Sequence, residues 1–273
     1  MITPPPLTDR PALTRNRARA RALGPALFLH QDAAAEIEER LNEVNRRFTS
    51  PAVVTPFPEP WAEILPQAKI VPDDEVLALA PGAHDLVIHA LALHWANDPV
   101  GQLVQCRRAL APDGLLIAVM FGGQTLAELR ATLAEAEAAL TGGLSPRVLP
   151  MGEIRDLGAL LQRAGFALPV ADLAARPVSY RDLWHLMADL RAMGECNALA
   201  ARRRNPSRRA VFAKAARLYA EHYGDGMGRI TASFDLIYLT GWAPHENQQK
   251  PLRPGSATHR LADVLANIPK RGD

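Results

Sequence analysis

An α/β fold on a mainly parallel sheet is predicted by three observations. Strand-like runs alternate with helical patterns from residue 51 to residue 173. Residues 115–121 are apolar almost throughout, as in a strand buried on both faces. The turn Ala111-Pro-Asp-Gly114 separates that run from a preceding helix. With 273 residues, 48% of them hydrophobic, the chain is long enough for one large core.

Residues 1–24 are rich in Pro and Arg, including Arg10, Arg15, Arg17, Arg19 and Arg21. A flexible basic arm is expected there, with a short helix around 14–22. Residues 28–48 read as a helix, because Ile37, Leu41, Val44 and Phe48 recur at spacings of four, three and four, with Asp32 as its N-cap. Pro51, Pro56, Pro58, Pro60, Pro66 and Pro72 punctuate the stretch from 51 to 72. Proline caps and separates elements but does not sit inside central strands. Two short strands, 52–55 and 69–71, fit there with a turn or two of helix at 61–65.

Pro81-Gly82 bounds a strand at 85–90, which is followed by a helix at 99–110 and the strand at 115–121. Leu126, Leu129 and Leu133 share one side of a helix at 126–140. A helix at 152–164 closes at Gly165. A strand at 167–173, helices at 180–193 and 207–223 and a last strand at 231–242 complete the pattern. The two helices form an insertion, 178–225, positioned to cap a cleft. The expected organisation is the arm 1–24, one domain at 25–243 and a tail at 244–273 with a helical segment at 260–266.

Net charge is +2, which implies no polyelectrolyte partner. Arg202, Arg203, Arg204, Arg208 and Arg209 cluster, but no aromatic residues interleave them and no nucleic-acid motif is present. A solvated or protein-binding face is expected rather than a nucleic-acid site. Cys106 and Cys196 lie on segments that read as helices, and two scattered cysteines suit a reducing compartment. No apolar run reaches the roughly 18 residues of a membrane span, although a basic edge suits peripheral membrane contact. A cytoplasmic, bacterial protein is expected. The Arg-rich start leaves the mitochondrial matrix as the alternative.

Asp85-Leu-Val-Ile88, the helix after it, Ala111-Pro-Asp-Gly114 and the apolar run 115–120 resemble the second half of a class I S-adenosylmethionine-dependent methyltransferase. A narrower resemblance is to the family of respiratory complex I assembly factor 5 and its bacterial homologues. Leu91-Ala-Leu-His-Trp-Ala-Asn-Asp98, Met120-Phe-Gly-Gly-Gln-Thr-Leu-Ala-Glu-Leu-Arg130, Gly142-Gly-Leu-Ser-Pro146 and Asp156-Leu-Gly-Ala-Leu-Leu-Gln-Arg-Ala-Gly-Phe166 carry it. Asp189-Leu-Arg-Ala-Met-Gly-Glu195, Gly241-Trp-Ala-Pro-His-Glu246 and Leu252-Arg-Pro-Gly-Ser256 extend it. The resemblance implies a Rossmann-like methyltransferase fold and a role at an arginine of a complex I subunit, where the family's chemistry is hydroxylation rather than methylation.

One departure from the methyltransferase pattern is large. That fold opens with a strand and a glycine-rich loop whose backbone approaches the cofactor. Here Thr49-Ser-Pro-Ala-Val-Val-Thr-Pro-Phe-Pro-Glu-Pro-Trp61 stands in its place, and no glycine occurs from Phe48 through Pro81. The interval also lacks room for the second strand and at least one helix. The expected sheet order is the usual one without strand 2, 3-1-4-5-7-6, about six strands with 231–242 antiparallel. The resemblance implies S-adenosylmethionine as cofactor, while the missing loop argues against its conventional pose, particularly if Phe57 or Trp61 fills the cleft.

Ile70-Val-Pro-Asp-Asp-Glu75 resembles the segment after the third strand of that fold, which implies that Asp73 or Asp74 meets the adenine amino group, and Leu91, His94 and Trp95 lie past a strand's carboxyl end. These five are the candidate cofactor contacts. Phe121, Gly122, Gly123 and His245 are the candidate cleft residues. The two glycines open a helix, as an anion site or as a tight turn with Thr125 as cap. His245-Glu246 reads as an acid/base pair or as a tail anchor. Asp85 and His89 share a strand face but lie about 13 Å apart along it, so no metal triad with His94 is expected. No catalytic base is named. Two functions are expected: a methyltransferase-like enzyme acting in complex I assembly or modification, or a non-catalytic module that uses the same cleft to chaperone a complex I subunit.

Overall fold

The computed structural model describes residues 5–248. In chain order the elements are α1 (Arg10–Leu23), α2 (Phe28–Glu43), β1 (Pro51–Val54), α3 (Glu59–Ile64), β2 (Lys69–Val71), β3 (His84–Ala90) and a 3-10 turn (Leu93–Trp95). Then come α4 (Pro99–Ala109), β4 (Leu110–Gly122), α5 (Ala127–Thr141), α6 (Ile154–Arg163), β5 (Ala167–Tyr180), α7 (Leu183–Ala192), α8 (Arg209–Tyr223) and β6 (Ile230–Trp242).

The strands form one sheet in the order β2-β1-β3-β4-β6-β5. β2, β1, β3 and β4 are parallel, and β6 is antiparallel to both β4 and β5. This is the order expected from the sequence, with the usual second strand missing. Side chains alternate across the sheet. Leu86, Ile88, Leu115, Ile117, Val119 and Phe121 face α2, α3, α5, α7 and α8. Val87, Leu116, Ala118 and Met120 face α4 and α6 through Leu103, Cys106, Leu157 and Leu161. Burial on both faces explains the continuous apolar runs.

Local chemistry sets several helix starts. Asp98 accepts from Gly101 N at 2.8 Å, and Pro99 follows it in the first turn of α4. Asp9 caps α1 by accepting from Ala12 N at 3.0 Å, and Asp182 caps α7 by accepting from His185 N at 3.0 Å.

The structure revises several expectations. The basic N-terminal segment is not a loose arm but a 14-residue helix. Ala12, Leu13, Arg17 and Ala20 of α1 are buried, and its apolar residues pack with Trp95, Leu149, Ala198 and Leu199. The helix α2 stops at Glu43, five residues early, and Asp32 does not cap it. Asp32 instead accepts from Arg176 Nε at 2.8 Å. β5 continues to Tyr180 because it stays paired with β6 along its whole length. β4 begins at Leu110, so it takes in the Ala-Pro-Asp-Gly turn, where Asp113 has a φ of 61°. Cys196 follows α7 rather than lying in a helix. The predicted segment 260–266 and the Leu252–Ser256 stretch of the resemblance (252–256) lie outside the described residues. No described helix is long and apolar enough to cross a membrane.

Candidate binding cleft

In open parallel sheets, ligands bind outside the carboxyl ends of the strands. At this edge Leu91 leaves β3 with a φ of 46° and donates its N–H to Val119 O at 2.8 Å. The 3-10 turn then folds His94 and Trp95 back over the sheet end. After α7, Gly194 takes a φ of 77° and brings Glu195 beneath them. Trp95 Nε1 donates to Glu195 Oε2 at 2.6 Å, and His94 Nε2 lies 3.2 Å from the same oxygen. Burial opposes the charge on Glu195, but His94, Arg17 and the Trp95 N–H outweigh it and hold its carboxyl below the usual range. The other oxygen, Oε1, accepts no hydrogen bond among the described residues.

Glu195 lines a cavity of about 230 Å³. Its walls are mostly apolar, with Phe121 from β4, Leu129 from α5, Met187 from α7, Phe212 from α8 and Phe234 from β6. His94 and Phe121 meet edge to face at 4.9 Å. Arg147 also lines the cavity and is fixed from behind. Its Nε and Nη2 donate to Glu137 at 3.0 and 2.6 Å, and its guanidinium packs over Phe212 at 5.5 Å. The bond from Arg147 lowers the Glu137 carboxyl to about 2. Ser145 N also donates to Glu137, at 3.1 Å, which pins the Gly-Gly-Leu-Ser-Pro loop.

A second, more polar cavity of about 620 Å³ lies on the β2 side. Arg10, Asp73, Glu75, His89, Ala92 and Gln102 are among its lining residues. His89 is 1% exposed; burial pushes its ring down to about 4, so it is neutral at pH 7. Its Nε2 lies 3.3 Å from Gln102 Oε1, and its Nδ1 is buried without a partner.

The structure brings together only some of the sequence-derived candidates. His94, Trp95 and Phe121 meet in the apolar cavity. Asp73 is buried and belongs to the polar one, whereas the Asp74 side chain is exposed and only its carbonyl is used, accepting from Gln102 Nε2 at 2.7 Å. Leu91 is 1% exposed and acts through its backbone.

Gly122 and Gly123 are close-packing positions rather than an open anion site. A Cβ on Gly122 would lie 2.3 Å from Ile237 Cδ1, and one on Gly123 2.4 Å from Asp235 Oδ2. The amide beyond them already has an anion, because Gln124 N donates to Asp235 Oδ2 at 2.7 Å. Thr125 is not the cap of α5; it accepts from Asp235 N at 2.8 Å. His245 is at the far end of the sheet. β6 runs antiparallel, with Trp242 beside Leu115, the first residue of β4 to pair with it, so the chain leaves β6 opposite the cavities. Asp85 is at that end too, where its carboxylate accepts from Thr49 N and Ser50 N at 2.6 and 3.0 Å.

Sequence reasoning missed Glu195, Arg147 and Arg17. The first two sit in or beside quoted motifs, but nothing in the pattern said which side chain turns inward.

The ground in front of β1, part of where the fold implies S-adenosylmethionine, is filled by the chain itself. Phe57 and Trp61 are both 0% exposed. Trp61 Nε1 donates to His30 Nδ1 at 3.2 Å, and His30 stacks edge-on against Phe57 at 5.3 Å. Pro56 and Pro58 offer no N–H. Asp73 is bound by Arg17 Nη1 at 2.7 Å and Arg10 Nη1 at 3.0 Å. Burial works against the Asp73 charge, but these two cations outweigh it and keep its carboxyl low. The residues present do not fit the cofactor in its conventional pose. Among the described residues no cluster of His, Cys, Asp and Glu is arranged to hold a metal ion.

Residues 56–118 match a methyltransferase domain family. The mitochondrial arginine-hydroxylase NDUFAF5 of Danio rerio is 39% identical over 200 residues, covering 73% of this chain and 62% of that protein. The human protein of the same name is 40% identical over 200 residues, covering 73% of this chain and 58% of that one. A malonyl-[acyl-carrier protein] O-methyltransferase of Xylella fastidiosa is 35% identical over 207 residues, with 76% and 66% covered. The chain thus spans about three fifths of the length of the hydroxylase relatives. The domain match, these relatives and the sheet order support the class I S-adenosylmethionine-dependent methyltransferase superfamily, within which the chain resembles the arginine-hydroxylase NDUFAF5.

Proposed function

We propose that this methyltransferase-like protein takes an arginine side chain of a partner protein into the apolar cavity and acts there in the assembly or modification of respiratory complex I. The observation that carries this reading is Oε1 of Glu195, which accepts no hydrogen bond among the described residues, on a carboxylate that lines a mostly apolar cavity. An arginine has an aliphatic stem that suits such walls and a planar cationic head that suits a carboxylate. His94 and Trp95 hold Glu195 in place, so the acceptor is oriented before the ligand arrives. The relatives named as arginine-hydroxylases support the choice of guanidinium over ammonium. The resemblance to the complex I assembly family supports the partner class.

A second reading, a non-catalytic module that chaperones a complex I subunit, is favoured by the filled cofactor ground. Both readings require the Glu195 pocket to hold the guest. Disruption of the gene should lower assembled complex I, and the wild-type chain but not Glu195→Gln should restore it. Full restoration by Glu195→Gln would remove the pocket from the account. Mass spectrometry of the recovered subunits then separates the readings. A modified arginine that depends on this chain supports the enzyme, and assembly without modification supports the chaperone.

A further inference from the structure

Charge around the Glu195 pocket is unevenly balanced. Arg10 and Arg17 are paired with Asp73, Arg147 with Glu137 and Arg202 with Asp9. Arg191 and Arg19 form no ion pair among the described residues, and both are exposed. Arg191 lies in the last turn of α7 and lines the apolar cavity, so an exposed cation stands where the cavity wall meets solvent. Arg19 belongs to α1, which is tied to the same place. Asn16 Nδ2 donates to Cys196 O at 3.2 Å, and a Cβ on Gly194 would lie 3.0 Å from Arg17 Cγ, so α1 packs on the turn that carries Glu195. Cys196 lines the cavity beside Glu195. Burial pushes its thiol up, and Arg191 and Arg19 both act against that shift, which puts the two cations near this stretch of wall.

A cationic guest therefore meets a problem of sign. Glu195 offers it one carboxylate, while Arg191 and Arg19 present like charge to whatever surrounds it. Like charges brought together at an interface discriminate against a partner, and complementary ones select it. A guest that carries carboxylates next to its arginine turns the repulsion into attraction. An extended chain advances about 3.3 Å per residue, so neighbours one or two positions away still lie over the rim of a cavity this small. A cation in the last turn of a helix also complements the helix dipole, which accounts for the position of Arg191 in α7. It does not account for Arg19, which is not in the last turn of α1.

We propose that the arginine taken up at Glu195 is one with Asp or Glu within about two residues of it, and that Arg191 and Arg19 are the specificity-determining residues that read those acidic neighbours. The partner segment is thus an acidic peptide with a central arginine. Its guanidinium goes to Glu195 inside the cavity, and its carboxylates go to the exposed cations of α7 and α1. The inference rests on the arginine reading and adds to it the sequence around the guest.

The test is calorimetric titration of the full chain at low salt with capped pentapeptides that carry Arg at the centre and Asp, Asn or Lys on both sides. Wild type should bind the Asp peptide about threefold to tenfold more tightly than the Asn peptide, and the Lys peptide most weakly. Arg191→Glu should reverse the order and favour the Lys peptide, a change that a merely structural role would not produce. Arg19→Glu, on a different helix, should shift the preference the same way. In about 1 M salt, where screening acts beyond about 3 Å, the Asp and Asn peptides should bind within about twofold of each other. Equal wild-type affinities for these two peptides at low salt, with Glu195→Gln still weakening both, overturn the inference and leave the arginine reading standing. An Arg191→Glu variant that keeps the wild-type order overturns it as well. If Glu195→Gln weakens none of the peptides, the arginine reading fails and the inference falls with it.

Discussion

Replacing Glu195 with Gln changes the charge of the proposed pocket with little change of shape. The glutamine carbonyl can still accept from Trp95 Nε1, which now donates at 2.6 Å. The fold should therefore lose only about 1 kcal/mol, the net value of an ordinary hydrogen bond. A guest guanidinium loses more. Hydrogen bonds to charged groups contribute about 1.5–3 kcal/mol, and each 1.4 kcal/mol is tenfold in affinity. Glu195 is 12% exposed at its side chain, so solvent screens the pair only weakly. An arginine-containing peptide should bind Glu195→Gln about 10- to 100-fold more weakly than wild type. The assay is calorimetry with that peptide and with the same peptide carrying citrulline, which keeps the shape and removes the charge. The citrulline peptide should bind both proteins alike and weakly. Arginine-peptide affinities equal within about twofold in wild type and variant would refute the role given to Glu195.

Three further outcomes are expected from the packing. His30 and His89 are buried, and burial pushes their rings down to about 3 and about 4. Both stay neutral when folded but gain a proton in the unfolded chain near the ordinary value of about 6.5, so stability is complete above that pH and falls as the pH drops toward 4. Urea unfolding at pH 7 and pH 5 should show the loss, of the order of 2 kcal/mol per histidine, and equal midpoints would contradict it. Phe57→Ala removes a ring with no exposure and should cost about 3–5 kcal/mol, read as a fall in Tm; a Tm within about 2 °C of wild type would mean the ring does not fill the ground in front of β1. Gly123→Ala must place a Cβ 2.4 Å from Asp235 Oδ2 at a φ of 53°, whereas Gly142→Ala at 69° meets open space. The second should cost about 1 kcal/mol and the first clearly more, and equal denaturation midpoints would contradict the close packing.

The sheet was legible because its signals are local and repeated. The apolar run of β4 and the turn Pro81-Gly82 before β3 mark buried parallel strands. The shortage of residues between Pro51 and His84 excluded the second strand, and the sheet order agrees. The site was legible only where a motif sits at a strand's carboxyl end, as with His94, Trp95 and Phe121. His245 misled because sequence adjacency to a strand does not reveal which end of that strand faces the cleft. Antiparallel β6 carries it to the other side. Glu195 and Arg17 were hidden for a different reason. Each finds its partners across long stretches of chain, Glu195 with Trp95 and Arg17 with Asp73, and no periodicity encodes such contacts. Arg17 also breaks the rule that arginines of an amphipathic helix face water.

A filled cofactor ground inside a methyltransferase fold is the claim on which the account rests. It is tested most directly by titrating the wild-type chain with S-adenosylmethionine in a calorimeter. The prediction is no saturable heat below about 1 mM, because Phe57, Trp61 and the Arg17–Asp73 pair occupy the ground. Saturable binding in the range of about 1 μM, with Arg17 still paired to Asp73, would contradict it.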